Sequence, residues 1–508
     1  MINLDGASLT IEDVVAVAEG RERVGIAGEA LALMRQSRER VEGAMRGTTP
    51  VYALNTGVGL LANIRLEDHE IEAMQVNLIR SHCCGVGAPL PVKVVRGMML
   101  IRTNVLAKGL SGIRAVVAER ICDLLNCGIT PVVPSRGSVG ASGDLAPLAH
   151  MALTLIGEGK AEYHGEVLDA AVCMERAGLE PLKLEGKEGI SLLNGTQAML
   201  SIGCLRLVEL EGLFFAAQIT AALSIEALRG TAAALDARLH AARAHAGQVL
   251  SARHLLKLLE GSVIPRTHGE GSRIQDAYCL RCIPQVHGAA WDTMQFARGV
   301  FAVELNSATD NPLVFEDAIV SGGNFHGAPL ALALDYLAIA VCQLAGISER
   351  RTERLMNPSL NEGLPAFLAS QPGIESGMMM AQVTSAALVA EMRVLASPAS
   401  TGSIPTSGNQ EDFVSMGMTS GLKLEQSADL ARMVIAIELL AAARALDLRG
   451  DRSTPVLEAA RRSFRERVPA WREDCVLSVW MEEAAKYLED DGWRDQGTVQ
   501  IAVEEAVR

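Results

Sequence analysis

Gly137-Ser-Val-Gly-Ala-Ser-Gly-Asp-Leu-Ala-Pro-Leu-Ala-His150 is the stretch from which the rest of the chain is read. At its centre stand Ala141, Ser142 and Gly143. Small residues bracketed by Gly137 and Gly140 permit a turn tight enough for the amide nitrogen of Gly143 to approach the carbonyl carbon of Ala141. Attack there, with loss of two waters, closes an imidazolone ring that carries an exocyclic methylene from Ser142. Such a ring is an electrophile of a kind no ordinary side chain supplies. Two plainer readings compete with it. One is a Gly/Ser-rich turn between helices; the other is a phosphate cradle, although neither G-x-G-x-x-G nor the G-K-[ST] ending is present. Asp144 is expected to cap the helix that follows, with Pro147 in its first turn. That would set the triad at a positive helix end, where developing negative charge is stabilised.

Around this stretch, 508 residues allow two to four domain-sized units or one large helical body with appendages. Hydrophobic residues make up 49% but aromatics only 4%, so the core is expected to be tightly packed helices rich in Ala, Leu, Val, Ile and Met. A net charge of −14 argues against nucleic-acid and anionic-membrane partners. The most apolar run, Leu330 to Ala345, is interrupted by Asp335 and falls short of the ~20 residues of a membrane span. No signal peptide is visible in Met1 to Asp5, and ten cysteines read as reduced packing thiols, so a cytoplasmic location is expected. Cys279-x-x-Cys282 lacks a second such pair, and no metal site is expected.

In chain order, Thr10-x-x-Asp13 opens a helix over Ile11 to Ala18 as a variant capping box. Tyr52 lies in a loop with Gly57 and Gly59, either as a satisfied core phenol or as a functional hydroxyl. A helix over Glu72 to Cys83 brings His82 to its C-terminal end, as a residue favoured by the dipole or as a recognition group. Helical spacing over Val94 to Cys127 stops at Gly128. Asn194 precedes Gly195 as a turn residue or a ligand-orienting carboxamide, and a long apolar helix is expected over Met199 to Arg229. The segment Gly261 to Gly271 reads as a loop. If 275–281 is helical, Gln275, Tyr278 and Arg281 share a face, and a cation beside a phenol favours phenolate. Phe325 sits in the Gly-rich loop Ser321 to Gly327, ahead of another long helix. Glu411 sits in a polar loop, Pro405 to Asp412, between helices near Ser376 to Leu395 and Leu422 to Leu448. Ser453-Thr454-Pro455 starts a further helix in a charged C-terminal segment.

Taken together, the segments Tyr52 to Leu60, Gly137 to His150, Leu193 to Gln197, Gln275 to Gln285, Gly322 to His326 and Asn409 to Met416 resemble the ammonia-lyases that use an autocatalytic methylidene-imidazolone (MIO) group. The likeness covers roughly Leu9 to Arg449, with six motifs in the family's order. It implies that Ala141, Ser142 and Gly143 form the prosthetic group, that Asp144 supports cyclisation, and that no external cofactor is needed. Tyr278 matches the base for the β-proton and Tyr52 a second essential tyrosine. Arg281 matches a carboxylate clamp, Asn194 a polar partner of substrate and prosthetic group, and Phe325 an aromatic beside them. Ser81-His82 and Glu411 match the pattern of members acting on histidine, since an imidazole offers two ring nitrogens. The implied reaction is nonoxidative loss of ammonia from L-histidine to give trans-urocanate. A tyrosine or phenylalanine ammonia-lyase or 2,3-aminomutase is the alternative, and a silent helical scaffold the rival of another class. Cys83-Cys84, Ala53 and Phe413 depart from the family's usual alanines, glycine and histidine at those places.

The implied fold is mainly α: a long central helix bundle with an N-terminal domain carrying the prosthetic-group loop, an aromatic ammonia-lyase or fumarase/aspartase-like architecture. The expected spans are 1–195 for that domain, 196–450 for the bundle and 451–508 for a peripheral helical segment. The resemblance also implies a homotetramer whose active sites draw on three subunits.

Overall fold

Four long helices, Gln197–Ala227, Ile283–Leu305, Ala328–Met356 and Gly417–Arg449, dominate the structure, a computed structural model that describes residues 1–47, 50–59, 63–264 and 274–490. The first of them is buried along nearly its whole length, as a helix apolar on every face must be. Close approach is made possible by missing side chains. A Cβ on Gly203 would lie 2.8 Å from Phe301, and one on Gly97 would lie 2.3 Å from Ser201 Oγ. The apolar run from Leu330 lies inside the helix Ala328–Met356, where Leu330, Leu334, Leu337, Val341 and Leu344 are fully buried. Its interrupting Asp335 accepts the Ser400 N–H at 2.8 Å.

The chain groups into two compact units. One comprises Met1–Arg206, Ala297–Asp335 and Pro398–Leu422; the other comprises Leu207–Phe296, Tyr336–Ser397 and the chain from Lys423. In the first unit, helix Val92–Ala107 packs on Ile11–Ala18 and on Ala115–Cys127, while Asp68–His82 packs on Leu145–Leu155 and Glu188–Leu193. The Thr10–Asp13 capping box is formed in both directions, at 3.1 Å each way. Strands are short and serve as braces. Val86–Pro89 pairs antiparallel with Pro134–Arg136 and so delivers the chain to Gly137, and Ile129–Pro131 joins Lys160–Tyr163 and Glu166–Asp169.

One helix expected from spacing is two. The run from Val94 to Cys127 breaks between Ala107 and Ala115, where Gly109 and Gly112 adopt φ of +74° and +67°. A Cβ at Gly112 would lie 2.3 Å from Val41, so the break is a packing requirement that periodicity does not register. Gly128 closes the second helix in the left-handed conformation, at φ +78°. The shared face proposed for Gln275, Tyr278 and Arg281 is not formed, because the helix there covers only Tyr278–Arg281. Of the loop read over Gly261 to Gly271, residues 265–271 lie outside the described residues. Thr454 caps Pro455–Arg467 as its sequence indicates, accepting the Leu457 N–H at 3.2 Å.

The second unit holds two fully buried histidines, His254 and His287, against Phe215 and Phe214 with ring centroids 5.4 and 6.3 Å apart. None of their ring nitrogens finds a hydrogen-bond partner among the described residues. Burial pushes His254 down to about 3 and His287 well below the usual range, with Arg351 adding to the latter. A depressed native pKa means stability that is present above the unfolded value near 6.5 and lost as pH falls through the window below it. Each histidine is expected to cost about 1.4 kcal/mol per pH unit in that window. Denaturant midpoints should therefore fall between pH 7 and pH 5.5, and His254→Phe should reduce the slope by about half. An unchanged slope in that variant would count against this source of acid lability.

Candidate active site

The Gly137–His150 stretch is a turn held by backbone contacts from several directions. Gly137, Gly140 and Gly143 all have positive φ, at +132°, +71° and +77°, and two of them leave no room for a side chain. A Cβ on Gly140 would sit 2.1 Å from Ser415 Oγ, and one on Gly143 would sit 2.0 Å from the Gly195 carbonyl oxygen. Ser415 Oγ donates to the Gly140 carbonyl at 3.2 Å, and the Met416 N–H donates to Val139 at 2.8 Å. Across an isolated bridge, the Gly195 N–H donates to the Ser142 carbonyl at 3.3 Å, while the Gly195 carbonyl accepts the Asp144 N–H at 2.6 Å.

Asp144 differs from the sequence expectation in a telling way. It occupies the N-cap position of helix Leu145–Leu155 but makes no side-chain cap there. Its carboxylate turns instead to a different helix, accepting the backbone N–H groups of Ala198 and Met199 at 2.9 and 3.0 Å in the first turn of Gln197–Ala227. A carboxylate at a helix N-terminus is stabilised by those free donors and by the dipole. Asp144 is fully buried, and burial pushes its pKa up to about 7 against the opposing pull of the Met199 and Ala198 N–H groups. One side chain thus ties the turn to the start of the long buried helix Gln197–Ala227.

The turn opens on a cavity of about 540 Å³. Its lining includes Tyr52, His82, Ser142, Asn194 and Glu411, five of the residues singled out from sequence, brought together from positions more than 350 apart in the chain. Each is fixed by a local bond. The Tyr52 hydroxyl oxygen accepts the Gly59 N–H at 3.1 Å. His82 Nδ1 lies 2.8 Å from the Leu78 carbonyl; a carbonyl only accepts, so this nitrogen carries a proton. Asn194 donates from Nδ2 to the Asn311 carbonyl at 2.9 Å. Glu411 accepts the Thr406 hydroxyl at 2.8 Å on Oε2 and the Ser142 hydroxyl at 3.3 Å on Oε1. Ala53 beside Tyr52 has φ +58° and is fully buried, so an alanine here stands in a conformation that suits glycine.

Tyr278, Arg281 and Phe325, also named from sequence, do not line this cavity. Tyr278 is 69% exposed in the other unit, where it lines a second cavity of about 420 Å³ with Cys279, Cys282 and Arg350. The Arg281 guanidinium covers the Tyr278 ring at 4.6 Å from its centroid, so the cation and phenol expected to be neighbours are neighbours. Phe325 is half-buried in its loop and does not line either cavity. Sequence reasoning also missed a layer of buried polar residues behind Asn194: Arg102, Lys187, Asp310 and Thr309. The available signal was a charge at position 102 within the apolar run of helix Val92–Ala107.

Comparison with known proteins gives a consistent result. The sequence profile of a family described as aromatic amino acid lyase matches residues 9–466. A histidine ammonia-lyase of Koribacter versatilis is 50% identical over 493 residues, covering 94% of this chain and 96% of that protein. Among solved structures, histidine ammonia-lyase from Trypanosoma cruzi superposes with a TM-score of 0.92 at 40% identity, covering 99% of this chain and 96% of that one. Tyrosine aminomutase from Streptomyces globisporus superposes with a TM-score of 0.94 at 38% identity, covering 97% and 98%.

Proposed function

The chain belongs to the aromatic amino acid lyase family, and on that premise we propose that it releases ammonia from L-histidine without oxidation to give trans-urocanate. The observation that carries the choice of substrate is the pairing of His82 and Glu411 on one cavity with Ser142. An imidazole bound there finds an acceptor in Glu411 and a second polar partner in His82. A phenyl ring could pair with neither and would cover polar atoms that would otherwise meet water, which costs binding energy. The histidine ammonia-lyase of Koribacter versatilis, at 50% identity, supports the same choice.

The residues present fit a prosthetic group made from Ala141, Ser142 and Gly143. Gly143 is held at φ +77° with its Cα against the Gly195 carbonyl, the conformation a tight cyclising turn requires. The Ser142 hydroxyl that must be lost already lies on the cavity. Once formed, the group supplies an electrophilic carbon at the start of helix Leu145–Leu155. The remaining work falls to side chains. Glu411 and His82 orient the imidazole, and Asn194 and Tyr52 bound the cavity beside it. A base takes the β-proton, the C–H electron pair becomes the new double bond, and the C–N bond breaks with its pair going to the protonated nitrogen, which departs as ammonia.

We assign the base to Tyr278, the carboxylate clamp to Arg281 and an aromatic wall to Phe325, each supplied by other copies of the chain in a homotetramer. The 69% exposure of Tyr278 supports that arrangement. All ten cysteines are free thiols, which suits a cytoplasmic enzyme. The test is to incubate the purified protein separately with histidine, tyrosine and phenylalanine and to follow near-ultraviolet product absorbance. Urocanate from histidine is expected; its absence, with cinnamate-type or β-amino acid products instead, would move the chain to the tyrosine or phenylalanine branch.

A further inference from the structure

Behind Asn194 and Gly195 lies a fully buried guanidinium that the elimination does not use. Arg102 projects from helix Val92–Ala107 and is 0% exposed. Its Nη1 donates to the Asn194 carbonyl and reaches Gln197 Oε1 at 3.4 Å, while Nε and Nη2 have no partner among the described residues. Desolvation draws Arg102 down to about 10, and the buried carboxylate of Asp310 works in the opposite direction. Asp310 also holds Lys187, itself fully buried, at 3.4 Å. A cation placed this deep with unmatched donors is costly, and an apolar residue of similar size would fill the space at less cost. Stability therefore does not explain it.

The peptide that Arg102 grips does. The Asn194 carbonyl and the Gly195 N–H are two ends of one peptide group, and that N–H donates to the Ser142 carbonyl at 3.3 Å. A cation bonded to the carbonyl end polarises the peptide and strengthens the N–H as a donor. The Ser142 carbonyl is where negative charge gathers when the Ser142 Cα–H is removed. A strengthened donor aimed at that oxygen acts as an oxyanion hole does.

We infer that Arg102 is a positioning residue for self-cyclisation, acting through the Asn194–Gly195 peptide on the Ser142 carbonyl. The inference rests on the reading that Ala141, Ser142 and Gly143 cyclise. In that process Gly143 N bonds to Ala141 C, and the Ala141 oxygen leaves as one water with the protons of the Gly143 and Ser142 amides. The Ser142 Cα–H and hydroxyl leave as the second, so no oxidant or reductant is consumed.

The test is the rate at which newly made chains lose the mass of two waters, followed by intact-mass measurement during cell-free synthesis of the full chain. Wild type, Arg102→Lys and Arg102→Gln are compared, with thermal melting as the control for folding. Arg102→Gln, which keeps a donor and loses the charge, is expected to mature at least about tenfold more slowly. Arg102→Lys is expected to stay within about threefold of wild type. A role in folding alone would lower melting and leave maturation of the soluble chains unchanged. Soluble Arg102→Gln maturing at the wild-type rate overturns the inference. If that variant is recovered only as aggregate, the lysine variant decides: a tenfold loss there removes the claim that charge is what matters. A wild-type chain that never loses two waters would instead refute the proposed prosthetic group itself.

Discussion

Ser142→Ala is expected to leave the chain at its encoded mass and to lower histidine turnover by about a thousandfold or more, ~4 kcal/mol of barrier. Alanine has no hydroxyl to eliminate, so the exocyclic methylene cannot form whatever the geometry of the turn. The substitution should be almost silent for folding. Among the described residues the Ser142 hydroxyl bonds only Glu411 Oε1, at 3.3 Å, and Glu411 keeps its shorter bond to Thr406 at 2.8 Å. The backbone bonds from Gly195 to Ser142 and Asp144 do not involve the hydroxyl at all. The measurement is intact mass beside turnover and melting temperature. A variant that still loses two waters, or one that turns histidine over at near wild-type rate, would sink the assignment of the electrophile.

Glu411→Gln separates recognition from maturation. Glu411 stands on a turn closed by mutual backbone bonds to Thr406, at 2.8 and 3.3 Å, and glutamine retains an oxygen acceptor there, so the turn should persist. What disappears is the negative charge facing the imidazole. A hydrogen bond to a charged group contributes roughly 1.5–3 kcal/mol, which corresponds to a loss of about 10- to 200-fold in kcat/KM for histidine. Turnover of phenylalanine, which cannot use that acceptor, should not fall. Loss of the two waters should be complete. Equal damage to cyclisation and to turnover would show that the contact between Glu411 and Ser142 matters more than the contact with substrate.

Much of the turn was legible because its requirements are local. Gly140 and Gly143 are glycines where Ser415 Oγ and the Gly195 carbonyl leave no room for a Cβ, and a run of small residues signals such crowding on its own. The long buried helices were legible for a similar reason, since uniform apolarity over some thirty residues has few other outcomes. What escaped notice depends on distant partners. Asp144 looked like the cap of its own helix and caps one that begins 53 residues later. Arg102 drew no reading from the sequence because its acceptor, the Asn194 carbonyl, lies 92 residues away. The break at Gly109 and Gly112 is imposed by Leu33 and Val41 from another helix. Tyr278 and Arg281 were recognised as a pair and found as a pair, but no residue pattern told which cavity they would face.

The anchoring of the turn also bears on how such a protein can change. Gly195, Asp144 and Ser415 secure the Gly140–Asp144 segment through backbone atoms, a buried carboxylate and a buried hydroxyl, whereas His82 and Glu411 belong to the end of one helix and a separate short turn. Replacements at the cavity's edge can redirect which side chain is accepted while the reactive floor stays intact. Variation confined to a few peripheral positions is then enough to derive new substrate preferences from one inherited reaction, without rebuilding the parts that make the reaction possible.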